Sequence, residues 1–263
     1  MTADSSGDGA VVEADPEQQL FQVASGKERF RAVAHSVLLV LTAFVVAGLL
    51  SGIATGGLES AGLTEDAAPV VYSLTSMGTH FAGFLLVSVA YLEWLDCRSL
   101  VSARVPSLRH GLVIVVGFVV LVGSLNGLEF LFAEFGLEPA ENTAVRAGEG
   151  NPELYLYIVP VVLFLNAPAE ELLFRGVVQG RFRRAYGIVP GILLAAAVFG
   201  LVHYLALVGT GSEIVYVTIA AAAGLILGAT YEYTENLVVP TVIHAFWNIG
   251  IYLVLYADAT GGL

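Results

Sequence analysis

Seven long apolar runs divide this chain, at about 33–54, 69–92, 111–133, 153–177, 189–208, 214–231 and 237–257. A helix needs about 20 mostly apolar residues to cross a hydrocarbon core roughly 30 Å thick, and each run reaches or approaches that length. Inside lipid every backbone N–H and C=O must find a partner within the protein, which leaves helices and closed barrels. The runs are continuous rather than alternating, so barrel strands do not fit. The expectation is an all-α, polytopic transmembrane bundle of about seven spanning helices. An eighth would move the C-terminus across the membrane. Composition agrees: 57% of the 263 residues are apolar and 13% charged, more apolar surface than a soluble domain of this size encloses.

Residues 1–31 are expected to form an acidic, largely disordered cytoplasmic tail ahead of a transmembrane domain over 32–263. Asp4, Asp8, Glu13, Asp15 and Glu17 stand there among few large apolar groups, too few to offset chain entropy. The first apolar run follows an acidic leader and is long enough to span, so it reads as an anchor that stays. A net charge of −12 argues against nucleic acid as a partner. Lys27 is the only lysine, against 23 acidic residues, a balance suited to concentrated salt; activity and solubility indifferent to salt would remove that reading. Cys97 is the only cysteine, which excludes an intrachain disulfide and a cysteine-cluster metal site.

Basic residues near span ends favour the cytoplasmic side. They cluster before the first run, between the second and third (Arg98, Arg104, Arg109), and after the fourth (Arg181, Arg183, Arg184). Loops 55–68 and 134–152 are acidic, with Arg146 the one exception. The charge pattern predicts a multi-pass protein of the cell membrane with its N-terminus in the cytoplasm. Pro168 should kink the fourth run, and residues 179–188 should form a short interfacial helix or loop.

Ionisable residues at the centre of a spanning helix cost roughly 2.5–3.5 kcal/mol each on insertion scales, so they persist only where something favours them. The second half of the chain concentrates them: Glu170, Glu171 and Arg175 in the fourth run, His203 in the fifth, His244 and Asn248 in the seventh. Glu171 and Arg175 are four apart, acid first, the better orientation for an ion pair on one helix face. Glu170 lies about 100° around the helix, away from that pair. It is left reactive and suits a general base. Each polar residue taken singly has a plainer role as an interhelical hydrogen bonder. His80, Asn126 and Glu129 could face the bundle but stand alone. The combination on three helices is what points to chemistry.

Glu170-Glu171-x-x-x-Arg175, Phe199-x-x-x-His203 and His244-x-x-x-Asn248, in that order and each in its own apolar run, resemble the motif set of the CPBP intramembrane proteases. These are the CAAX prenyl proteases and bacteriocin-processing enzymes related to the type II CAAX endopeptidase. The resemblance covers 153–257 and makes that stretch the expected catalytic core. It implies an intramembrane endopeptidase in which Glu170, with His203, activates a water for attack on a peptide carbonyl. His244 and Asn248 would stabilise the oxyanion, Glu171 and Arg175 would be the supporting pair, and Phe199 a packing residue. The partner implied is a protein or peptide substrate, prenylated or otherwise membrane-anchored, within membrane lipid, and the expected opening of the site is cytoplasmic.

The family is often described as metalloproteases, although a glutamate mechanism without metal has also been argued. No H-E-x-x-H occurs here. The expectation is no obligatory cofactor, with a zinc site of His203, His244 and Glu170 left chemically open. Two other classes compete: a non-catalytic partner that binds or escorts a membrane peptide, and a transporter or proton relay through Glu170 and the histidines. Straight helices also pose a difficulty of depth, because they set Glu170 and His244 near the inner surface and His203 further from it.

Overall fold

In the computed structural model, residues 19–21 and 24–262 are described, apart from the side chain of Ala144. Seven helices are long and apolar enough to cross a membrane: α1 (Gly26–Ser60), α2 (Pro69–Trp94), α3 (Leu108–Glu134), α4 (Glu153–Tyr186), α5 (Ile188–His203, its span completed by a tighter turn to Ala206), α6 (Glu213–Thr234) and α7 (Val238–Thr260). An eighth is not present among the described residues. The protein is a multi-pass membrane bundle. Most of the tail expected to be disordered lies outside the described residues. Its described part is in contact with the bundle: the Gln19 and Leu20 carbonyls accept from the backbone N–H groups of Ile188 and Val189 at 3.0 and 3.1 Å. Helix α1 begins at Gly26, behind a capping box in which Ser25 and Glu28 satisfy each other's backbone donors.

Helix α4 is the axis of the bundle. It packs on α2, α5 and α7, and its two halves lie in different apolar clusters. One cluster joins α1, α2, the second half of α4 and α5 around Phe84, Leu173, Phe174 and Phe199. A second joins the first half of α4 to α7 around Leu154, Ile158 and Tyr252. The third joins α3, α6 and α7 around Leu121, Leu125, Leu227 and Ile243. Small residues permit the closest approaches, as is usual where lipid offers no hydrophobic drive between helices. A Cβ on Gly200 would lie 2.6 Å from the Val217 carbonyl oxygen, so α5 can pack on α6 at that level only with glycine there.

Around the proline expected to kink it, helix α4 changes its winding. It widens to π-helical geometry over Val162–Asn166 and again over Leu172–Gln179, on either side of the five residues that carry Pro168, Glu170 and Glu171. Proline has no N–H to donate, and a wide turn next to it accommodates the missing bond. The helix then runs on through Gly180–Tyr186, so the arginines expected in an interfacial piece sit on its last turns. Gly187, at φ 93°, reverses the chain directly into α5.

These details resolve the difficulty of depth. Glu170 is mid-helix because α4 continues nine residues beyond the expected end at 177. His203 is the last residue of a short α5. The turn into α7 is tucked under residues 101–104, where fully buried Asn236 accepts from the Arg104 N–H and donates to its C=O, both at 3.0 Å. His244 is carried into the bundle with it.

On the opposite face, the segment after α3 is pinned across the ends of α5 and α6. A two-residue strand β1 (Glu141–Asn142) pairs antiparallel with β2 (Leu207–Val208). The Ser212 N–H donates to the Glu138 carbonyl at 2.8 Å, and the Ala140 N–H to the Ser212 carbonyl at 3.2 Å.

Candidate active site

The two acids of α4 face different surroundings. Glu171 is fully buried; its Oε1 lies 3.0 Å from an Arg175 guanidinium nitrogen and 2.8 Å from Nδ1 of His244. Arg175 is itself buried and stacks over the Phe199 ring, with Cζ 4.1 Å from the centroid. Phe199 packs edge-on against Phe174 and His203, with ring centroids 5.1 and 4.4 Å away. Glu170 turns the other way. Its Oε1 accepts a 2.9 Å hydrogen bond from Asn166, and its Oε2 lies 3.8 Å from Nε2 of His244. The Glu170 side chain keeps 12% of its surface accessible, and Glu171 none, so water can reach only the first.

The donor and acceptor rules fix the direction of the network. A carboxylate only accepts, so Nδ1 of His244 donates to Glu171 and the neutral ring leaves Nε2 as an acceptor. Asn248 Nδ2 supplies both donors that follow, to His244 Nε2 at 3.2 Å and to Asn166 Oδ1 at 2.9 Å. Asn166 then has its amide nitrogen free to reach Glu170. His203 is oriented in the same manner, with Nδ1 2.6 Å from the Phe199 carbonyl oxygen; Nε2 is again the acceptor. Two carboxylates thus orient two amides and one imidazole, and a backbone carbonyl orients the other.

Glu170, His203, His244 and Asn248 all line one cavity of about 610 Å³. Glu171 and Arg175 stand behind it. Every one of the four residues expected to converge is therefore at the same wall. Residues 140–143 and 145, with Leu205 and Ala206, complete the lining on one side, and Ser76, Met77, His80 and Phe81 of α2 on another. The loops at the N-terminal face of the bundle contribute nothing to this lining. The lining that reaches a surface loop is on the other face, at residues 140–143 and 145. The cavity borders the face with the acidic loops, because α5 ends at His203 and β1 folds over that end.

Among the described residues, no group of three His, Cys, Asp or Glu side chains is placed to hold a metal ion. His203, His244 and Glu170 share the cavity, but His244 has both ring nitrogens engaged, so the donor set does not fit the zinc site left open by the sequence.

Three cavity residues were not anticipated from the sequence as parts of the site. Asn166 precedes Glu170 by four residues on the same helix face, a signal that could have been read from the spacing. Tyr216, which accepts from Asn142 Nδ2 at 3.0 Å, and His80 reach the cavity from elements that carry no motif. Asn126, by contrast, is exposed and donates only to the Val122 carbonyl of its own helix.

Fold and site together define an integral membrane helical bundle with an oriented carboxylate, histidine and amide cluster buried at its axis. Residues 152–250, which include the whole cluster, match the family described as Type II CAAX prenyl endopeptidase Rce1-like. That match coincides with the resemblance carried by the three motifs. It supports a protease-type enzyme acting on a peptide or protein in a membrane context. No curated protein and no solved structure matches the chain.

Proposed function

We propose that this protein is an intramembrane endopeptidase in which Glu170 is the general base. The observation that carries the proposal is the division of labour between adjacent acids. Glu171 is consumed by Arg175 and His244, whereas Glu170 is held by one amide and keeps an oxygen toward the cavity. A water between Glu170 and the acceptor Nε2 of His203 would lose a proton to Glu170 as its oxygen bonds to the scissile carbonyl carbon. Collapse of the tetrahedral intermediate breaks the C–N bond, and the departing amine takes that proton. The products are a carboxyl and an amino terminus.

Oxyanion stabilisation falls to Asn248 and His244, and the network assigns them unequal parts. Both Asn248 Nδ2 hydrogens are engaged in the resting state, and the one on His244 Nε2 is released to the oxyanion when that nitrogen takes a proton. His244 can donate from Nε2 only after gaining a proton; Glu170, 3.8 Å away, would lend it the proton taken from water while the tetrahedral intermediate stands and take it back for delivery to the departing amine. Glu171 would hold the resulting imidazolium from the other side. Preorganised donors of this kind act most strongly where water is excluded.

Substrates would be membrane-anchored peptides or proteins, prenylated ones among them. The test compares the membrane peptidomes of cells with the native protein and with Glu170→Gln. Precursors should accumulate with the variant; cleavage at the native rate by a folded Glu170→Gln protein would end the proposal.

A further inference from the structure

On the face opposite the candidate site lies a second cavity, of about 570 Å³, at the junction of the start of α1, the end of α2 and the end of α4. Arg31, Arg181, Arg184 and His35 line it, and Glu28 is the one acid among its described lining residues. That is three of the 11 basic residues of a chain whose net charge is −12. Glu28 balances at most one of these charges, and its Oε2 also accepts from the N–H and hydroxyl of Ser25 in the cap of α1, at 2.9 and 2.8 Å. Two of the arginines are held in place. Arg181 lies over the Tyr91 ring at 5.3 Å, and Arg184 donates to the Ser99 hydroxyl at 3.0 Å. His35 meets the Tyr91 hydroxyl at 2.8 Å.

The cavity lies at the head of an exposed apolar stripe on α1. Arg31 and His35 are followed at helical spacing by Leu38, Val45 and Leu49, which are 63%, 61% and 60% exposed. On the neighbouring helix end, Trp94 is 88% exposed and Leu95 lines the cavity itself. A guanidinium cluster above an exposed apolar track matches one kind of occupant: a phosphate with an acyl or isoprenoid chain attached. Arginine is the residue suited to phosphate oxygens, because its planar fork donates two parallel bonds. Basic recesses between helices at an interface are where anionic headgroups bind.

We propose that this cavity is a binding site for the headgroup of an anionic phospholipid, with Arg31 and Arg181 on the phosphate and the chain lying along Leu38, Val45 and Leu49. The site is remote from Glu170 and does not depend on the proposed proteolysis.

The test uses the full-length protein in a neutral detergent at low ionic strength, with the unfolding midpoint followed during titration. Three probes are compared: dihexanoyl phosphatidylglycerol, dihexanoyl phosphatidylcholine and inorganic phosphate. Phosphatidylglycerol should raise the midpoint saturably and the other two should not. In the Arg31→Gln, Arg181→Gln double variant the apparent Kd should weaken at least about tenfold, the loss expected from removing charge-assisted contacts. If the double variant does not fold, Arg31→Gln at an exposed position reads the same effect. Equal stabilisation by phosphatidylcholine, an equal response to phosphate alone, or variants that respond as the parent would each overturn the proposal.

Discussion

Asn166 donates a 2.9 Å hydrogen bond to Glu170 from one turn earlier on α4, and its own carbonyl oxygen is held by Asn248 of α7 at 2.9 Å. The orientation of the candidate base is therefore decided by a residue on a different helix, through an amide that touches both.

Asn166 is then a positioning residue, and Asn166→Ala should lower kcat while leaving KM nearly unchanged. A hydrogen bond to a charged group is worth about 1.5–3 kcal/mol, or about 10–100-fold in rate. A purely structural role would instead lower the unfolding midpoint with kcat per folded molecule unaffected, and steady-state kinetics beside thermal unfolding separates the two.

The adjacent acids should fail in opposite ways. Glu170→Gln should leave a folded, inactive protein. Glu171→Ala strands Arg175 at a position only 1% exposed, and losing one partner of a buried pair costs about 3–5 kcal/mol. Reduced yield and a lower unfolding midpoint for Glu171→Ala, but not for Glu170→Gln, are expected. A stable and active Glu171→Ala protein would refute this partition.

Chelation should leave cleavage intact, because His244 has Nδ1 on Glu171 and Nε2 on Asn248 and neither is free for a metal. The check is activity after prolonged treatment with a strong chelator. Loss that only zinc restores would show that the network rearranges around an ion.

The two faces of the bundle should label from opposite sides of the membrane. Lys27, Arg29, Arg31, Arg98, Arg104, Arg109, Arg181, Arg183 and Arg184 share the N-terminal face, against Arg146 on the other, and the bias of basic residues toward the cytoplasm predicts that the N-terminal face lies there. On a Cys97→Ser background, Leu108→Cys should resist an impermeant thiol reagent in intact cells, and Glu149→Cys, on the face the site cavity borders, should react. The reverse pattern would place the cavity toward the cytoplasm.

Gly200→Val should destabilise the bundle without touching the site chemistry directly. The added Cβ meets the Val217 carbonyl oxygen at 2.6 Å and the Ala221 backbone nitrogen at 3.0 Å, and backbone cannot swing aside as a side chain can. Overpacking of this kind costs about 1–3 kcal/mol. An unchanged unfolding midpoint would mean that α5 and α6 separate more readily than their packing suggests.

The sequence by itself determined the solvent, the helices and the identity of the polar cluster. Continuous apolar runs of spanning length leave one architecture in lipid, and a carboxylate or imidazole within such a run is conspicuous because burial there is costly. It also separated Glu171 from Glu170, since i, i+4 pairing with Arg175 is a local property of one helix. Tertiary structure decided what depends on how helices meet. The depth of His203 and His244 follows from where α5 stops and where the turn before α7 is buried, and neither is encoded in the period of a single helix. The role of Asn166, the proton positions on His244 and the lining of the cavity depend on side chains brought together from residues as distant as 80 and 252. A hydrogen-bond network has a direction only once all its members are in contact.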